Sequence, residues 1–144
     1  MTTPLERSFT YRLHLLHKVS DQGSHHSYLE TLGLSLSEAR SLAAVGAFQP
    51  MSVVALADKG NLNKSQASRA AQILVDKGWV QKTEHPVDGR GIELSLTPEG
   101  RKLWKKAMTL IEQRNEDIFG CLNAQEQATL SRLLDRLIAH NLGV

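Results

Sequence analysis

Residues 87–100 read Val87-Asp88-Gly89-Arg90-Gly91-Ile92-Glu93-Leu94-Ser95-Leu96-Thr97-Pro98-Glu99-Gly100. The first half places an arginine between two glycines, which is typical of a charged hairpin tip, and the residues from Gly91 to Leu96 alternate as a strand does. Thr97 is a suitable N-cap and Pro98 suits the first position of a helix. The stretch therefore predicts a hairpin that leads directly into a helix.

The sequence just upstream predicts a helix that begins with polar and basic residues. Asn63 and Gln66 form a capping-box pattern, and Lys77-Gly78 ends the helix. Its buried stripe consists of Ala67, Ala70, Ala71, Leu74 and Val75. Trp79 to Thr83 then form the first strand of the hairpin, whose turn contains Pro86, Asp88 and Gly89. A basic helix start followed by a basic hairpin is the layout of a winged helix that binds DNA.

Three further helices are predicted before this unit. Apolar residues at three- and four-residue steps predict a helix over residues 5–19, which ends at Asp21-Gln22-Gly23-Ser24, followed by an ambiguous segment of helical turn and loop over residues 25–34. Ser37 is the predicted N-cap of a helix that runs to about Ala47 and is closed by Pro50. A short third helix over residues 52–59 has Gly60 as its stop.

Two helices are predicted after the hairpin. The first runs from Thr97 to about Phe119, and the second begins at Asn123 with Glu126 completing a capping box. The second carries an apolar seam close to a coiled-coil pattern: Leu130, Leu133, Leu134, Leu137, Ile138 and Leu142. The terminal helices offer more apolar surface than a small winged helix covers, which predicts a homodimer formed by them.

Composition places the chain among ordinary globular proteins. Its 144 residues suit one domain, with 41% hydrophobic and 22% charged residues and no apolar run long enough for a membrane span. The first residues lack the pattern of a signal peptide, and the single Cys121 excludes an intrachain disulfide, so we expect a cytoplasmic protein without membrane partners.

Basic charge is concentrated around the predicted hairpin. Residues 61–106 contain nine Lys and Arg against five Asp and Glu, whereas the rest of the chain contains eight against ten. A positive segment on a mildly negative remainder suits a polyanionic partner bound by one face, although a solvated surface alone would also explain it.

These residues resemble the MarR family of winged-helix transcriptional regulators. Asp88-Gly89-Arg90 followed by Leu96-Thr97-Pro98-Glu99-Gly100 fits the family's wing signature of Asp-x-Arg and then Leu-Thr-x-x-Gly. Residues 64–69 and 74–80 match the recognition helix of the family, and Leu36-Ser37-Glu38 matches the start of the family's second helix. The resemblance covers nearly the whole chain as a single domain and is strongest over residues 34–100.

The resemblance implies a mainly α fold with a small β-hairpin wing: a winged helix-turn-helix lobe over 34–100, with dimerisation helices over 1–22 and 101–144. It further implies a homodimer that binds a palindromic operator in double-stranded DNA. A small-molecule effector, aromatic or anionic in kind, would release a repressor of this family from DNA, while some members sense oxidants or metal ions instead.

Seven residues are candidates for DNA contact. Gln66 and Arg69 suit adenine and guanine in the major groove, and Arg90 suits a narrow minor groove with Asp88 holding it or a neighbouring basic residue in position. Lys64, Ser65 and Ser68 are expected mainly at phosphates. Alternatives remain open: Gln66 serves only the cap, Arg69 pairs with an acid such as Asp76, and Arg90 is a hairpin charge without a partner.

The effector pocket is expected where the first, second and fifth helices meet. By this mapping from the family, Arg12 and Arg40 are candidate cations for an anionic ligand, and Trp104 and Met108 are candidate contacts for an aromatic one. Core packing is the alternative for Trp104 and Met108, which lie four residues apart on one helix.

Metal, redox and catalytic functions have weaker support. His14, His17, His25 and His26 have spacings that can bind zinc or copper, but we expect surface histidines, no metal and no cofactor. Cys121 follows the negative end of a helix, so an ordinary, partly buried cysteine is expected. The GxSxG, HExxH and GxGxxG motifs are absent, which argues against an enzyme. A winged helix that binds proteins remains the other alternative, although it predicts exposed apolar residues on the recognition helix.

Overall fold

The computed structural model describes residues 2–84 and 91–144. In that part of the chain a short 3₁₀ turn at Leu5–Arg7 precedes six α-helices and one β-hairpin. The elements are α1 (Phe9–Leu32), α2 (Leu36–Phe48), α3 (Val53–Lys59), α4 (Lys64–Asp76), β1 (Val80–Glu84), β2 (Ile92–Leu96), α5 (Pro98–Phe119) and α6 (Ala124–Leu142). The order confirms the predicted mainly α fold with a small hairpin after a helix-turn-helix.

Helix α1 is longer than the sequence predicts. It continues through Gly23, where an end was predicted, and stops at Gly33, whose φ of 69° lies in the left-handed region that terminates helices. The second half of α1 buries Ser24, Tyr28 and Leu32. This packing offsets the cost of a glycine inside a helix, so the predicted end at residues 21–24 was wrong.

The N-cap of α2 is Ser35 rather than the predicted Ser37. The Ser35 hydroxyl accepts a hydrogen bond from the Glu38 amide at 3.2 Å, and Glu38 Oε1 accepts one from the Ser35 amide at 3.4 Å. This reciprocal capping box satisfies two otherwise unpaired donors, which Ser37 inside the first turn cannot do. The predicted end near Ala47 agrees with the observed end at Phe48 to one residue.

Helix α1 begins at Phe9, with Ser8 as its N-cap, and not at Leu5 as predicted, since Leu5–Arg7 form a separate 3₁₀ turn. The predicted starts of the later helices are confirmed to within one residue. The Ser52 hydroxyl caps α3 by accepting from the Ala55 amide at 3.1 Å, and the predicted capping box of Asn123 and Glu126 opens α6. Thr97 Oγ1 accepts from the Gly100 amide at 2.9 Å at the start of α5. Short polar side chains at these positions satisfy amides that have no partner within the helix.

The chain divides into two compact units, Met1–Ile111 and Glu112–Val144. The core of the first unit contains five leucines with no exposed surface. Leu34 lies just before α2, and the others lie on α2 (Leu42), α3 (Leu56), α4 (Leu74) and β2 (Leu94). In the second unit, the Gln127 side chain donates to the carbonyl oxygens of Phe119 and Leu122 and fastens the turn before α6. The predicted division into a lobe over 34–100 and flanking dimerisation helices stays a prediction.

The two hairpin strands are antiparallel and pair Val80 with Leu96 and Glu84 with Ile92. The predicted strands were each one residue too early at their start. On the other side of β2, Met51 and Leu94 exchange two backbone hydrogen bonds, of 3.2 Å and 2.7 Å. The segment between α2 and α3 therefore holds the base of the hairpin, because its backbone adds a one-residue bridge to the sheet.

Candidate nucleic-acid interface

The start of α4 is shaped by its cap. Asn63 Oδ1 accepts from the Gln66 amide at 2.8 Å, and Gln66 Oε1 accepts from the Asn63 amide at 3.2 Å. The first turn contains no acidic residue, so the positive end of the helix dipole is reinforced by Lys64 rather than neutralised. Such a helix start favours the approach of a polyanion.

Four of the five predicted α4 contact residues are exposed on the first two turns: Lys64, Ser65, Ser68 and Arg69. The opposite face of the same helix buries Ala67, Ala70, Ala71 and Leu74. The small alanines let α4 pack closely against α2 and α3, because they present little side-chain bulk. A rigidly packed helix thus presents a polar and basic face to solvent.

The alternatives for Gln66 and Arg69 have different outcomes. Gln66 is half-buried and its Oε1 serves the cap, which is the structural role that the sequence left open. Arg69 makes no ion pair with any described carboxylate, and its Nε donates to the Ser65 carbonyl at 3.4 Å. Asp76, its suggested partner, instead accepts from Gln72 Nε2 at 2.7 Å.

A basic residue that the sequence analysis missed lies beside this face. Lys82 on β1 donates to Gln72 Oε1 on α4 at 2.8 Å, and Gln72 in turn donates to Asp76. The chain of polar contacts ties the first hairpin strand to the exposed side of α4. Period-two alternation places Lys82 on the same face of β1 as the buried Val80, and it gave no sign that the Lys82 side chain meets α4.

The entry to α5 explains the Thr-Pro-x-Gly part of the sequence. Thr97 Oγ1 donates to the Gly78 carbonyl at 2.6 Å, and the Thr97 amide donates to the Trp79 carbonyl at 3.1 Å. Gly100 packs directly on the Trp79 backbone, where a Cβ would overlap the carbonyl oxygen. The hairpin is therefore fastened to α5 at its base. The predicted contacts Asp88 and Arg90 lie outside the described residues.

A cavity of about 260 Å³ lies among α1, α2, α3 and α5 within the first unit. Its lining residues combine aromatic, apolar and cationic side chains: Tyr28, Arg40, Ala43, Ala44, Ala47, Phe48, Lys59, Gly60, Asn61, Met108 and Ile111. We call it the Arg40 cavity. It has the mixed lining of a small-molecule site, with apolar walls and few charged groups.

The structure brings together two of the four predicted ligand residues. Arg40 and Met108 line the Arg40 cavity, whereas Trp104 packs against Gly46 and donates from Nε1 to the Ala43 carbonyl at 3.2 Å. This packing and hydrogen bond support the alternative that Trp104 belongs to the core. Arg12 is not among the lining residues: its guanidinium stacks on Phe9 at 5.2 Å from the ring centroid, and its buried Nε has no partner among the described residues.

Comparison with known proteins supports the resemblance. A family model described as MarR family matches residues 32–91. Multiple antibiotic resistance protein MarR of Escherichia coli K12 is 26% identical over 127 residues, which cover 86% of this chain and 88% of the relative. These matches support the assignment of the chain to the MarR family of winged-helix regulators. Other relatives are named as HTH-type transcriptional regulators, among them BilQ of Clostridium symbiosum, which is 27% identical over 111 residues.

Solved structures show the same MarR fold. One is Bordetella bronchiseptica BpsR, described with regulation of its DNA binding by 6-hydroxynicotinic acid: TM-score 0.85, 18% identity, 95% of this chain and 97% of that one covered. Another is a mutant of E. coli MarR complexed with operator DNA: TM-score 0.79, 22% identity, 94% of this chain and 99% of that one covered. At these identities the likeness concerns the winged-helix fold.

Three of the four histidines with metal-ligand spacing, His17, His25 and His26, make local contacts. His17 and His26 lie 3.1 Å and 3.2 Å from carboxylate oxygens of Asp21 and Glu30, each one helical turn away. His25 Nδ1 accepts from the Leu36 amide at 3.2 Å, which joins α1 to the first turn of α2. Among residues 2–84 and 91–144, no group of three or more His, Cys, Asp or Glu side chains is arranged to hold a metal ion.

Cys121 is exposed, so the expectation of a partly buried cysteine was wrong. It follows Gly120 in the turn between α5 and α6, where no packed element covers it. No helix in the described part of the chain is long and apolar enough to span a membrane.

Proposed function

We propose that this MarR-family regulator is a homodimeric repressor that binds a palindromic operator in the cytoplasm and releases it when an anionic aromatic ligand occupies the Arg40 cavity. The observation that carries the proposal is the exposed basic start of α4, packed on a small-residue face and joined to the hairpin through Lys82 and Gln72. The fold shared with an operator-bound relative supports the same use of this surface.

In the proposed complex, α4 enters the major groove. Arg69 contacts a guanine edge, because it is exposed and free of any ion pair with a described carboxylate. Lys64, Ser65 and Ser68 contact phosphates around the helix start, and Gln66 reaches an adenine with its amide nitrogen while its oxygen holds the cap. Arg90, oriented by Asp88, enters the adjacent minor groove.

The dimer proposal rests on exposed apolar side chains at both ends of the chain. The first turns of α1 and the 3₁₀ turn expose Leu5, Phe9, Leu13, Leu16 and Val19, with Phe9 at 84%. Helix α6 exposes Leu133, Leu134, Leu137, Ile138 and Leu142. Contiguous apolar patches of this kind mark interaction surfaces. A second copy is the proposed occupant because a palindromic operator requires two α4 helices related by two-fold symmetry.

The effector proposal rests on the lining of the Arg40 cavity. Two cationic side chains, Arg40 and Lys59, lie among apolar walls that include Phe48 and Met108. A planar carboxylate with an aromatic body meets both features. The regulation of BpsR by 6-hydroxynicotinic acid supports this ligand class in a relative of the same fold.

The test is selection of bound sequences from a random duplex pool at about 0.15 M salt, followed by titration of the selected site with aromatic carboxylates and their amides. We expect a palindromic site, released by at least one carboxylate but not by its uncharged amide. An unenriched pool would contradict the DNA-binding role. A selected site that no aromatic carboxylate releases would contradict the effector class while leaving the DNA-binding role intact.

A further inference from the structure

Two cavities of the first unit share one wall. The Arg40 cavity lies on one side, and a second cavity of about 400 Å³ lies on the other, at the base of the hairpin. The second, which we call the wing-base cavity, is lined by Pro50, Met51, Ala55 and Ile92 among others. Phe48 and Lys59 line both cavities, and Lys59 Nζ stacks on the Phe48 ring at 5.3 Å from its centroid. A cation–π pair therefore forms the partition between them.

The two cations of the Arg40 cavity differ in their availability. Arg40 Nη2 is held at 2.8 Å from Asp21 Oδ1, and both side chains are partly buried, so its charge is already compensated. Lys59 makes no ion pair with a described carboxylate, and its Nζ lies over the Phe48 ring. An exposed cation–π contact is weak, and a carboxylate is the stronger partner for an ammonium group.

We infer that Lys59 is the primary anion-binding residue of the Arg40 cavity, and that its movement from the Phe48 ring to a bound anion opens the partition toward the wing-base cavity. The inference rests on the proposed function for its effect on DNA. The anion competes with the ring for one ammonium group, which makes the position of Phe48 dependent on the ligand.

The wing-base cavity gives this movement a route to the DNA-binding surface. Ile92 is the first residue of β2, Gly91 precedes it, and both line the cavity together with Met51, whose backbone bridges to Leu94 of β2. Lys59 itself is the last residue of α3, which packs against α4. A displaced Phe48 ring thus meets the start of the hairpin strand, and a displaced Lys59 pulls on the end of the helix that supports α4.

A pair of dyes measures the anion-binding role without knowledge of the natural ligand. The probes are 8-anilinonaphthalene-1-sulfonate, which is an anion, and N-phenyl-1-naphthylamine, which has the same rings without the sulfonate. Both are titrated by fluorescence into the full chain, and the ratio of their affinities isolates the contribution of the charge. The variants are Lys59→Met, Arg40→Met and Phe48→Leu, with Lys102→Met as a control because Lys102 is exposed and lines neither cavity.

The expected results differ in sign. Lys59→Met lowers the ratio of anionic to neutral dye affinity about fivefold, since the available cation is lost. Phe48→Leu raises the ratio about two- to fivefold, since the ring no longer competes for the ammonium group. Arg40→Met lowers the ratio by less than Lys59→Met does, and Lys102→Met changes it less than twofold. A ratio unchanged in Lys59→Met, a loss confined to Arg40→Met, or no binding of either dye by the unmodified chain overturns the inference.

A second measurement tests the coupling to DNA. By thermodynamic reciprocity, the selected operator must weaken anionic dye binding by the factor with which the dye weakens operator binding. We expect about tenfold in the unmodified chain and less than threefold in Lys59→Met. Equal coupling in both chains would overturn the role of the partition. Failure to obtain any operator would contradict the proposed function instead, and the dye ratios would still decide the role of Lys59.

Discussion

Gly100 on α5 lies directly against the backbone of Trp79, with no room for a Cβ between Gly100 and the Trp79 carbonyl oxygen. That same oxygen accepts a hydrogen bond from the Thr97 amide at 3.1 Å. The first turn of α5 and the residue that enters β1 are therefore in van der Waals and hydrogen-bond contact at one point. The hairpin cannot move at its base without also moving α5.

Gly100→Ala is expected to lower the free energy of unfolding by about 1–3 kcal/mol, because the added methyl group must displace backbone rather than a flexible side chain. Urea denaturation followed by circular dichroism measures the change. Glu99→Ala, at the neighbouring exposed position, is the control and should have little effect. Equal free energies of unfolding of the two variants would show that the close contact of Gly100 with the Trp79 backbone does not contribute to stability.

Ser41→Ala is expected to stabilise the protein. Ser41 is fully buried in α2, and its Oγ has no hydrogen-bond partner among the described residues. Removal of an unsatisfied buried hydroxyl should raise the free energy of unfolding by about 1 kcal/mol. The same denaturation experiment on Ser68→Ala, an exposed serine of α4, provides the baseline. A loss of stability in Ser41→Ala would mean that the hydroxyl has a partner in solution.

Arg69→Ala is expected to weaken operator binding by about 1–3 kcal/mol, the range for a bidentate contact to guanine. Its stability should remain within about 0.5 kcal/mol, since Arg69 is exposed and pairs with no described carboxylate. Fluorescence anisotropy with the selected operator and with single-base variants of it measures both affinity and discrimination. Arg132→Ala on α6 is the matched control. Undiminished affinity in Arg69→Ala would remove this residue from the interface.

Asp21→Asn is expected to strengthen the binding of anionic ligands to the Arg40 cavity about threefold, because Arg40 loses the carboxylate that compensates its charge. The readout is the ratio of anionic to neutral dye affinity. Glu30→Gln is the control, since Glu30 is an exposed acid on the same helix and pairs with His26 rather than with Arg40. If both variants raise the ratio equally, the effect is one of overall charge and not of Arg40.

Leu133→Glu combined with Leu137→Glu is expected to convert the proposed dimer to a monomer, because two charges replace apolar side chains on the exposed face of α6. Light scattering coupled to size exclusion measures the mass, and circular dichroism confirms that the helices persist. Gln125→Glu at the start of α6 should remain dimeric. A double variant that stays dimeric would place the interface elsewhere.

Local signals in the sequence were sufficient for most helix starts. Asn63 with Gln66 and Asn123 with Glu126 cap α4 and α6 as predicted, and Thr97 caps α5. A cap depends on side-chain chemistry within four residues, so it can be recognised without the rest of the fold. The same local logic failed at Gly23, where the buried Ser24 and Tyr28 keep α1 helical through distant contacts.

The candidate ligand site was only partly predictable. Arg40 and Met108 were identified through the family, but Phe48 and Lys59 come from the end of α2 and the end of α3, and no spacing in the sequence relates them. Trp104 is a large aromatic residue and was a candidate contact for an aromatic ligand, but its side chain packs on Gly46 instead. Which residues share a cavity depends on how helices cross, and a one-dimensional pattern does not contain that information.

The amino-acid sequence by itself determined the order of the elements, the capped starts of α4, α5 and α6, and the concentration of basic residues from Lys64 to Lys106, because these properties arise from side-chain chemistry over short distances. Only the tertiary structure decided that Asp21 compensates Arg40, that Lys82 joins α4 through Gln72, and that Phe48 and Lys59 separate two cavities. Those relationships join residues that are far apart in the chain, and packing of the apolar faces is what brings them within contact distance.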